Sequence, residues 1–529
     1  MPVTEQMNAG VRLGFPMFDV PFRECSCKLT NPHDRRVHTL SACERIGQTP
    51  GSTIVARHFV WFRSDLRIAD NPALHAATSP APDAGVVGVY VISPGEWAAH
   101  DVAPVRVEFI LRTLRVLSDD LAKRNIPLLV AAAPTPRDVP RVLSHLAALH
   151  HVSGVFFNRE YEVNEAARDR LVAAEFARRG VECRMFDGQV VLAPGSVRTQ
   201  DGRPYTVFTP FKKRWLSVLN ERAALRVLPV PKPQTPSGIN PSDIPARVEG
   251  FVSTIDPSLW PAGEHEAAER LRRFAGAALD RYKSDRDHPA IDGTSTLSPY
   301  LACGAISPGQ CLKAAIEAND GKLDSGGPGP VQWISELVWR EFYTHIVEAF
   351  PRVCKHRAFK PETDRIRWRD CPRDFEAWCR GATGVPIVDA AMRQLNTTGW
   401  MHNRLRMIVA MYLTKDLFID WRMGERHFMR NLVDGYLASN NGGWQWSAST
   451  GTDAAPYFRI FNPVSQSRTY DARGEFIRRF VPELAGVDAE AIHDPPPLVR
   501  ARLGYPEAIV DHSASRDRVL KAFKAPSPA

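Results

Sequence analysis

The sequence predicts two domains of different class: an N-terminal α/β domain on a parallel, Rossmann-like sheet and a large all-α C-terminal domain. Three observations predict this. Up to about residue 187, five short apolar, β-branched runs alternate with helical patterns. The stretch "VLPVPKPQTPSGINPSDIP" (227–245) is rich in proline, which favours an extended connection over a packed element. From about residue 263 the apolar spacing is helical throughout, and eight of the twelve tryptophans fall between 333 and 446.

Taken in chain order, residues 1–56 show neither period and read as a disordered extension, an overlong start to the chain. The strands follow as "HFVWF" (58–62), "GVVGVYVI" (85–92), "IPLLVAA" (126–132), "GVFFN" (154–158) and "VECRMF" (181–186). Between them, 107–124, 137–150 and 164–180 carry helical patterns, the last ending on Gly180 as a C-cap. Such alternation implies a parallel sheet covered by helices, here assigned to residues 57–187. The domain lacks the G-x-G-x-x-G fingerprint, and no phosphate-binding G-x-x-x-x-G-K-[ST] loop occurs anywhere, so it does not bind a nucleotide in the usual way. Residues 188–262 read as a linker. Residues 263–529 form the helical domain, carried by "HEAAERLRRFAGAALDRYKSDR", "VQWISELVWREFYTHIVEAF", "PIVDAAMRQLNTTGWMHNRLRMIVAMYLTKDL" and "GERHFMRNLVDGYLAS".

Composition narrows the function classes. At 529 residues the chain exceeds a single core, and 44% hydrophobic with 24% charged residues is ordinary for globular domains. A net charge of +8 permits a polyanionic partner. Nine cysteines without a C-x-x-C pair or zinc spacing suit reduced thiols in the cytoplasm, and no metal site is expected. There is no signal peptide and no run near the ~18 apolar residues of a membrane span. Nucleophile elbows, metalloprotease helices and deaminase signatures are all missing.

The unusual residues concentrate in the helical domain. In "ELVWREF", Glu336 and Trp339 lie three apart on one helix face, with Arg340 beside them. In "TGWMHNRLRMIVAMYL", Asn403, Arg406 and Met407 share a face at i, i+3 and i+4. An amide, a guanidinium and a thioether on a mostly apolar helix point to a polar cavity. "NNGGWQWSASTGTDAAPYFR" (440–459) adds two large rings on a glycine-rich, permissive backbone.

These segments carry a resemblance. "LVWREFYTHI", "PIVDAAMRQLNTTGWMHNRLRMIVA" and "NNGGWQWSASTGTDAAPYFRIFNPVSQS" resemble the photolyase/cryptochrome flavoproteins, and are matched best by the bacterial class I cyclobutane pyrimidine dimer photolyases. "FVWFRSDLRIADNPAL" (59–74) is similar to the start of that family's α/β domain, and the likeness extends from about 58 to past 510. The resemblance implies one folded FAD, active as FADH−, in the helical domain. Tyr282 and the run Thr294, Ser295, Thr296, Leu297 and Ser298 would take its phosphate and sugar portion. Trp333, Asn403, Arg406, Asp434, Gly435, Tyr436 and Asn440 would surround the rest, with Arg406 paired to Asp434 and the Asn440 amide near the flavin N5.

The same resemblance implies a relay of three oxidisable rings, Trp444, Trp421 and Trp368, that photoreduces the flavin. It also implies repair of DNA carrying cyclobutane pyrimidine dimers, extruded into the cavity. Glu336, Asn440 and Met407 would serve the reaction. Arg286, Glu336, Trp339, Arg340, Asn403, Arg404, Met407 and Trp446 would face lesion and DNA, with Arg286 and Arg404 on phosphates. Asn164, Glu165, Cys354 and Lys355 would hold an antenna, 5,10-methenyltetrahydrofolate in preference to a deazaflavin. A monomer is usual for the family.

One departure stands out: Asp434-Gly435-Tyr436 occupies the place of the family's D-G-D, so a phenol replaces the second carboxylate and puts the flavin's redox tuning in question. Two rival readings are weighed. A (6-4) photolyase needs a histidine acid where Met407 stands, and a thioether donates no proton. A cryptochrome photoreceptor often carries a long C-terminal tail, whereas this chain stops soon after "GYPEAIVDHSASRDR". Retention of Glu336, Trp339, Met407 and Trp446 favours repair.

Overall fold

The computed structural model describes residues 57–79, 85–221 and 225–524. The expected extension over 1–56 lies outside the described residues. Five strands form one parallel sheet in the order β3-β2-β1-β4-β5: β1 (Arg57–Phe62), β2 (Val86–Ile92), β3 (Leu128–Ala132), β4 (Val152–Asn158) and β5 (Glu182–Phe186). Each run predicted as a strand is one. Both faces are covered, which is why the runs are continuously apolar. Successive side chains alternate between faces. Phe59 and Trp61 of β1 join Val87, Val89, Val155 and Phe157 against the helices Val139–Leu149 and Val163–Arg178. Val60 and Phe62 point the other way, into a core that continues without interruption through Tyr300 and Trp333 of the helical part.

Strand order reverses beside β1, between its connections to β2 and β4. Crevices at such points, outside the carboxyl ends of the strands, are where open α/β sheets bind ligands. Arg63 and Ser64 follow β1 there, and Glu160 follows β4.

Within 188–262 the structure shows more order than the proline content implies. Phe208–Glu221 is a helix with Phe211 and Trp215 buried. Its position is set by Glu341, whose carboxylate accepts from the Val191 and Leu192 amides (2.7 and 2.8 Å) and from the Trp215 indole (2.5 Å). The proline-rich stretch is extended, as expected, and runs along the sheet. Gln234 exchanges hydrogen bonds with the Val86 main chain (2.7 and 2.9 Å), and the Ser242 amide donates to the Leu128 carbonyl (2.9 Å).

The helices that build the site are Pro328–Ala349, Pro386–Thr398, Asn403–Met411, Trp421–Met429 and Leu437–Ala448. The glycine-rich segment with Trp444 is therefore regular helix, not an irregular permissive run. Its two glycines have separate reasons. A Cβ on Gly442 would lie 2.2 Å from Cδ1 of Tyr343, so that glycine lets two helices touch. A Cβ on Gly443 would meet nothing within 4 Å, because that residue opens onto a cavity.

Candidate functional site

Three helical stripes converge on one cavity of about 520 Å³. Pro328–Ala349 contributes Trp333, Glu336, Trp339, Arg340 and Tyr343. Asn403–Met411 contributes Asn403, Arg406, Met407 and Ala410. Leu437–Ala448 contributes Asn440, Gly443, Trp444 and Ser447. Each set follows the three- and four-residue spacing of a single helix face. Tyr282, Ser295, Ser298, Arg286, Arg404, Asp434, Tyr436 and Trp446 complete the predicted residues on its walls.

The polar groups are held in fixed orientations. Arg406 donates to Asp434 Oδ2 (2.7 Å) and, through Nε, to the Met401 carbonyl (2.8 Å). Asp434 Oδ1 is buried with no hydrogen-bond partner. A buried carboxylate oxygen left bare is costly, so this atom is suited to a ligand N–H. The Asn440 amide nitrogen donates to the Glu425 carbonyl (3.0 Å), which fixes the amide's orientation and leaves its oxygen and second N–H to serve a ligand. Glu336 accepts from Gln332 (2.8 Å) and forms an ion pair with Arg286. Arg404 pairs with Asp287 (2.8 Å) and lies 4.3 Å from the Tyr470 ring centroid.

Four residues predicted for the same cavity lie elsewhere. Thr294 is half-buried outside the lining. Thr296 adopts φ 46° and accepts from Arg270 (3.1 Å), while Leu297 is buried in the core. Gly435 turns its carbonyl to Arg106 of the α/β domain. A run of five consecutive residues cannot present every side chain to one cavity unless it wraps around it, and this one does not. Conversely, Trp400, Tyr343, Gly443 and Ser447 line the cavity and were not singled out. The last three extend the recognised stripes at the same spacing; Trp400, whose indole donates to Ser298 Oγ (3.2 Å), precedes its helix and carries no periodic signal.

The three candidate relay rings run from core to surface. Trp444 is 2% exposed and Trp421 fully buried, whereas Trp368 is half-buried. A Cβ on Gly424 would lie 2.2 Å from the Trp444 ring, so Trp421, three residues earlier on that helix, faces the same way. The Arg369 amide donates to the Phe418 carbonyl (2.8 Å), and Trp368 packs on the Phe418 ring at 5.0 Å, which ties the third ring to the segment that leads into the Trp421 helix. Trp378 also abuts Trp444, edge-on at 6.0 Å.

A second cavity, of about 250 Å³, lies at the strand-order crevice. Asn164, Glu165 and Cys354 line it, with Arg63, Glu160, Glu162 and Arg168. Lys355 does not; it is exposed. Burial, followed by the Glu165 and Glu160 charges, pushes the Glu162 carboxyl up to about 8. Burial also works against ionised Glu160, yet Arg168 and Arg63 outweigh it and bring that group to about 2. The cavity thus offers a neutral acid beside a paired carboxylate.

His402 caps the Asn403 helix by accepting the Arg404 amide at Nδ1 (3.2 Å). Burial, with Arg406, Arg404 and Arg286 overcoming the pull of Asp287, holds this imidazole down at about 4. The unfolded chain therefore takes up its proton near 6.5 and the folded one near 4. Stability is full above 6.5 and is lost as pH falls through 4, by about 2 kcal/mol between pH 7 and pH 5. His402→Asn, which can still accept the amide but does not titrate, should lose that much less over the same interval in urea unfolding. Identical pH dependence in the two proteins would reject the role.

Two family profiles match the chain: DNA photolyase over residues 58–234, and FAD binding domain of DNA photolyase over residues 333–525. The deoxyribodipyrimidine photo-lyase of Salmonella typhimurium is 47% identical over 471 residues, covering 88% of this chain and 98% of the relative. A bacterial class III photolyase from Agrobacterium tumefaciens superposes with a TM-score of 0.80 at 35% identity, over 90% of this chain and 99% of that one. A Synechocystis cryptochrome superposes with a TM-score of 0.78 at 27% identity, over 88% and 99%.

Proposed function

This chain belongs to the DNA photolyase family, and from that premise we propose that it repairs cyclobutane pyrimidine dimers in DNA by light-driven electron transfer. The observation that carries the reading is that cofactor-side and lesion-side residues line one continuous cavity. FAD held there in its reduced form would supply the photochemistry: under light it would lend the dimer one electron and recover it once both carbon–carbon bonds have opened, so the repair is redox-neutral overall. The residues fit that group. Asp434 Oδ1 awaits a donor, Gly443 leaves room for close approach, and Trp333 and Trp400 offer aromatic surface.

The protein's part is to hold donor and acceptor together and exclude water. Arg406, pinned by Asp434 and Met401, and Asn440, pinned by Glu425, form the cofactor side. On the lesion side, Glu336 accepts from the polar edge of the dimer, while Trp339 and Trp446 flank the two joined pyrimidines and Met407 packs beside them. Trp339 is rigid, stacked on Phe208 at 3.6 Å. Photolyases are among the enzymes that extrude their target from the duplex, and a damaged step costs least to unstack. Arg286 and Arg404 exchange part of their present pairing with Glu336 and Asp287 for DNA phosphates, giving salt-sensitive binding.

Two further elements belong to this proposal. A folate antenna occupies the second cavity, against Asn164, Glu165 and Cys354, with Lys355 outside it. The protein works as a monomer in the cytosol, where its free thiols stay reduced. No described helix is long and apolar enough to cross a membrane.

The test is illumination of FAD-loaded protein with oligonucleotides bearing either lesion. Cyclobutane dimers should disappear in light and persist in the dark, and (6-4) lesions should persist in both, because Met407 cannot act as an acid. Glu336→Ala should slow repair while leaving flavin content intact. Binding of damaged DNA without light-dependent repair would favour the photoreceptor reading, for which the cryptochrome likeness is the support.

A further inference from the structure

Among the described residues, Tyr436 alone lines both cavities. Its hydroxyl shares a hydrogen bond with Thr344 Oγ1 (2.8 Å), and the Arg340 guanidinium lies 4.7 Å from the centre of its ring. The charges around the first cavity are otherwise paired: Arg286 with Glu336, Arg404 with Asp287, Arg406 with Asp434. Arg340 differs. It donates to the Gln189 and Leu301 carbonyls (2.7 and 3.5 Å), and no carboxylate among the described residues pairs with it.

Neighbouring acids do not supply the missing charge. Glu341, next along the helix, makes no ion pair with Arg340: burial pushes its carboxyl up to about 7, so it carries only part of a charge at neutral pH, and its oxygens accept from Val191, Leu192 and Trp215. On the far side of Tyr436, Glu160 is engaged by Arg168, and Glu162 is held largely in its neutral form. Burial pushes the Tyr436 phenol up to about 12, so it carries no charge at neutral pH.

We infer that the pairing of Arg340 with a neutral Tyr436 leaves this wall with one uncompensated positive charge, and that this charge raises the reduction potential of the bound flavin. The inference rests on FAD occupying the first cavity. Reduction of the flavin to its anionic hydroquinone takes up two electrons and one proton, so the bound group gains one negative charge. A fixed cation in a low-dielectric wall favours the product of that step over its reactant. The stored reduced state is then easier to reach and slower to lose to air.

The experiment is spectroelectrochemical titration of FAD-loaded wild type, Tyr436→Asp, Tyr436→Asn and Tyr436→Phe. Tyr436→Asp sets a carboxylate beside Arg340 and should move the potential negative, whereas Tyr436→Phe and Tyr436→Asn should stay near wild type. Wild type should also show a pH slope of one proton per two electrons. Equal shifts in the Asp and Asn variants would make the effect one of packing and overturn the inference, as would an unmoved Tyr436→Asp. Should the Asp variant fail to fold, Arg340→Gln removes the same charge and must also lower the potential; an unchanged value there overturns it too. Wild-type protein that takes up no FAD would sink the reading of the cavity itself, while loaded protein with unshifted variants sinks this assignment alone.

Discussion

Arg406→Ala is expected to give protein that purifies colourless and binds added FAD about 100-fold more weakly than wild type. The variant leaves Asp434 buried, its side chain 3% exposed, with neither oxygen satisfied. Removing one member of a buried pair costs about 3–5 kcal/mol, because the remaining charge has lost both water and partner. Arg406 is itself a quarter exposed, so the low end, about 3 kcal/mol, applies to the fold; a loss of the same size in the FAD contacts that Arg406 and Asp434 make together would be ~100-fold in affinity. Asp434→Ala should lose flavin in the same way. Arg406→Lys should fall between, since an ammonium keeps the charge but cannot reach Asp434 and the Met401 carbonyl with one rigid fork. The measurement is flavin content per protein and a fluorescence titration with FAD. Full retention of flavin by Arg406→Ala would remove this pair from the binding site.

Trp444→Phe is expected to reduce photoreduction of oxidised flavin to a small fraction of the wild-type rate, while chemically reduced enzyme repairs dimers at close to the normal rate. The ring lines the cavity and sits edge-on to Phe428 at 5.0 Å, so phenylalanine preserves much of the packing while removing the readily oxidised indole. The structure supports the proposed order by burial: Trp444 and Trp421 are enclosed, and Trp368 reaches the surface where an outside reductant can meet it. Trp421→Phe should block the same process one step later. Transient absorption on the wild type and both variants, with repair assayed on dithionite-reduced protein, separates the two roles. Equal loss of photoreduction and repair in Trp444→Phe would show a structural role instead.

The two families of variants probe different properties. The first removes a held charge and is read in binding; the second removes an oxidisable ring and is read in kinetics. The Arg286–Glu336 pair would connect them to DNA, because the residue proposed for phosphate is bonded to the residue proposed for the lesion.

The sequence by itself determined the strands and most of the helices, since period 2 and period 3.6 are local properties of the chain. It also determined which residues share a face: Glu336 with Trp339, Asn403 with Arg406 and Met407. The family motifs were legible for the same reason, being long and contiguous. Tertiary structure alone decided which faces meet. It turned the glycine-rich run into a helix packed on Tyr343, buried Leu297, sent the Gly435 carbonyl to Arg106, left Lys355 outside the second cavity and set Trp378 against Trp444. It also placed Tyr436 on two cavities at once. The physical reason is that a period specifies a direction around one helix, whereas a cavity wall is chosen by the packing of helices far apart in the chain.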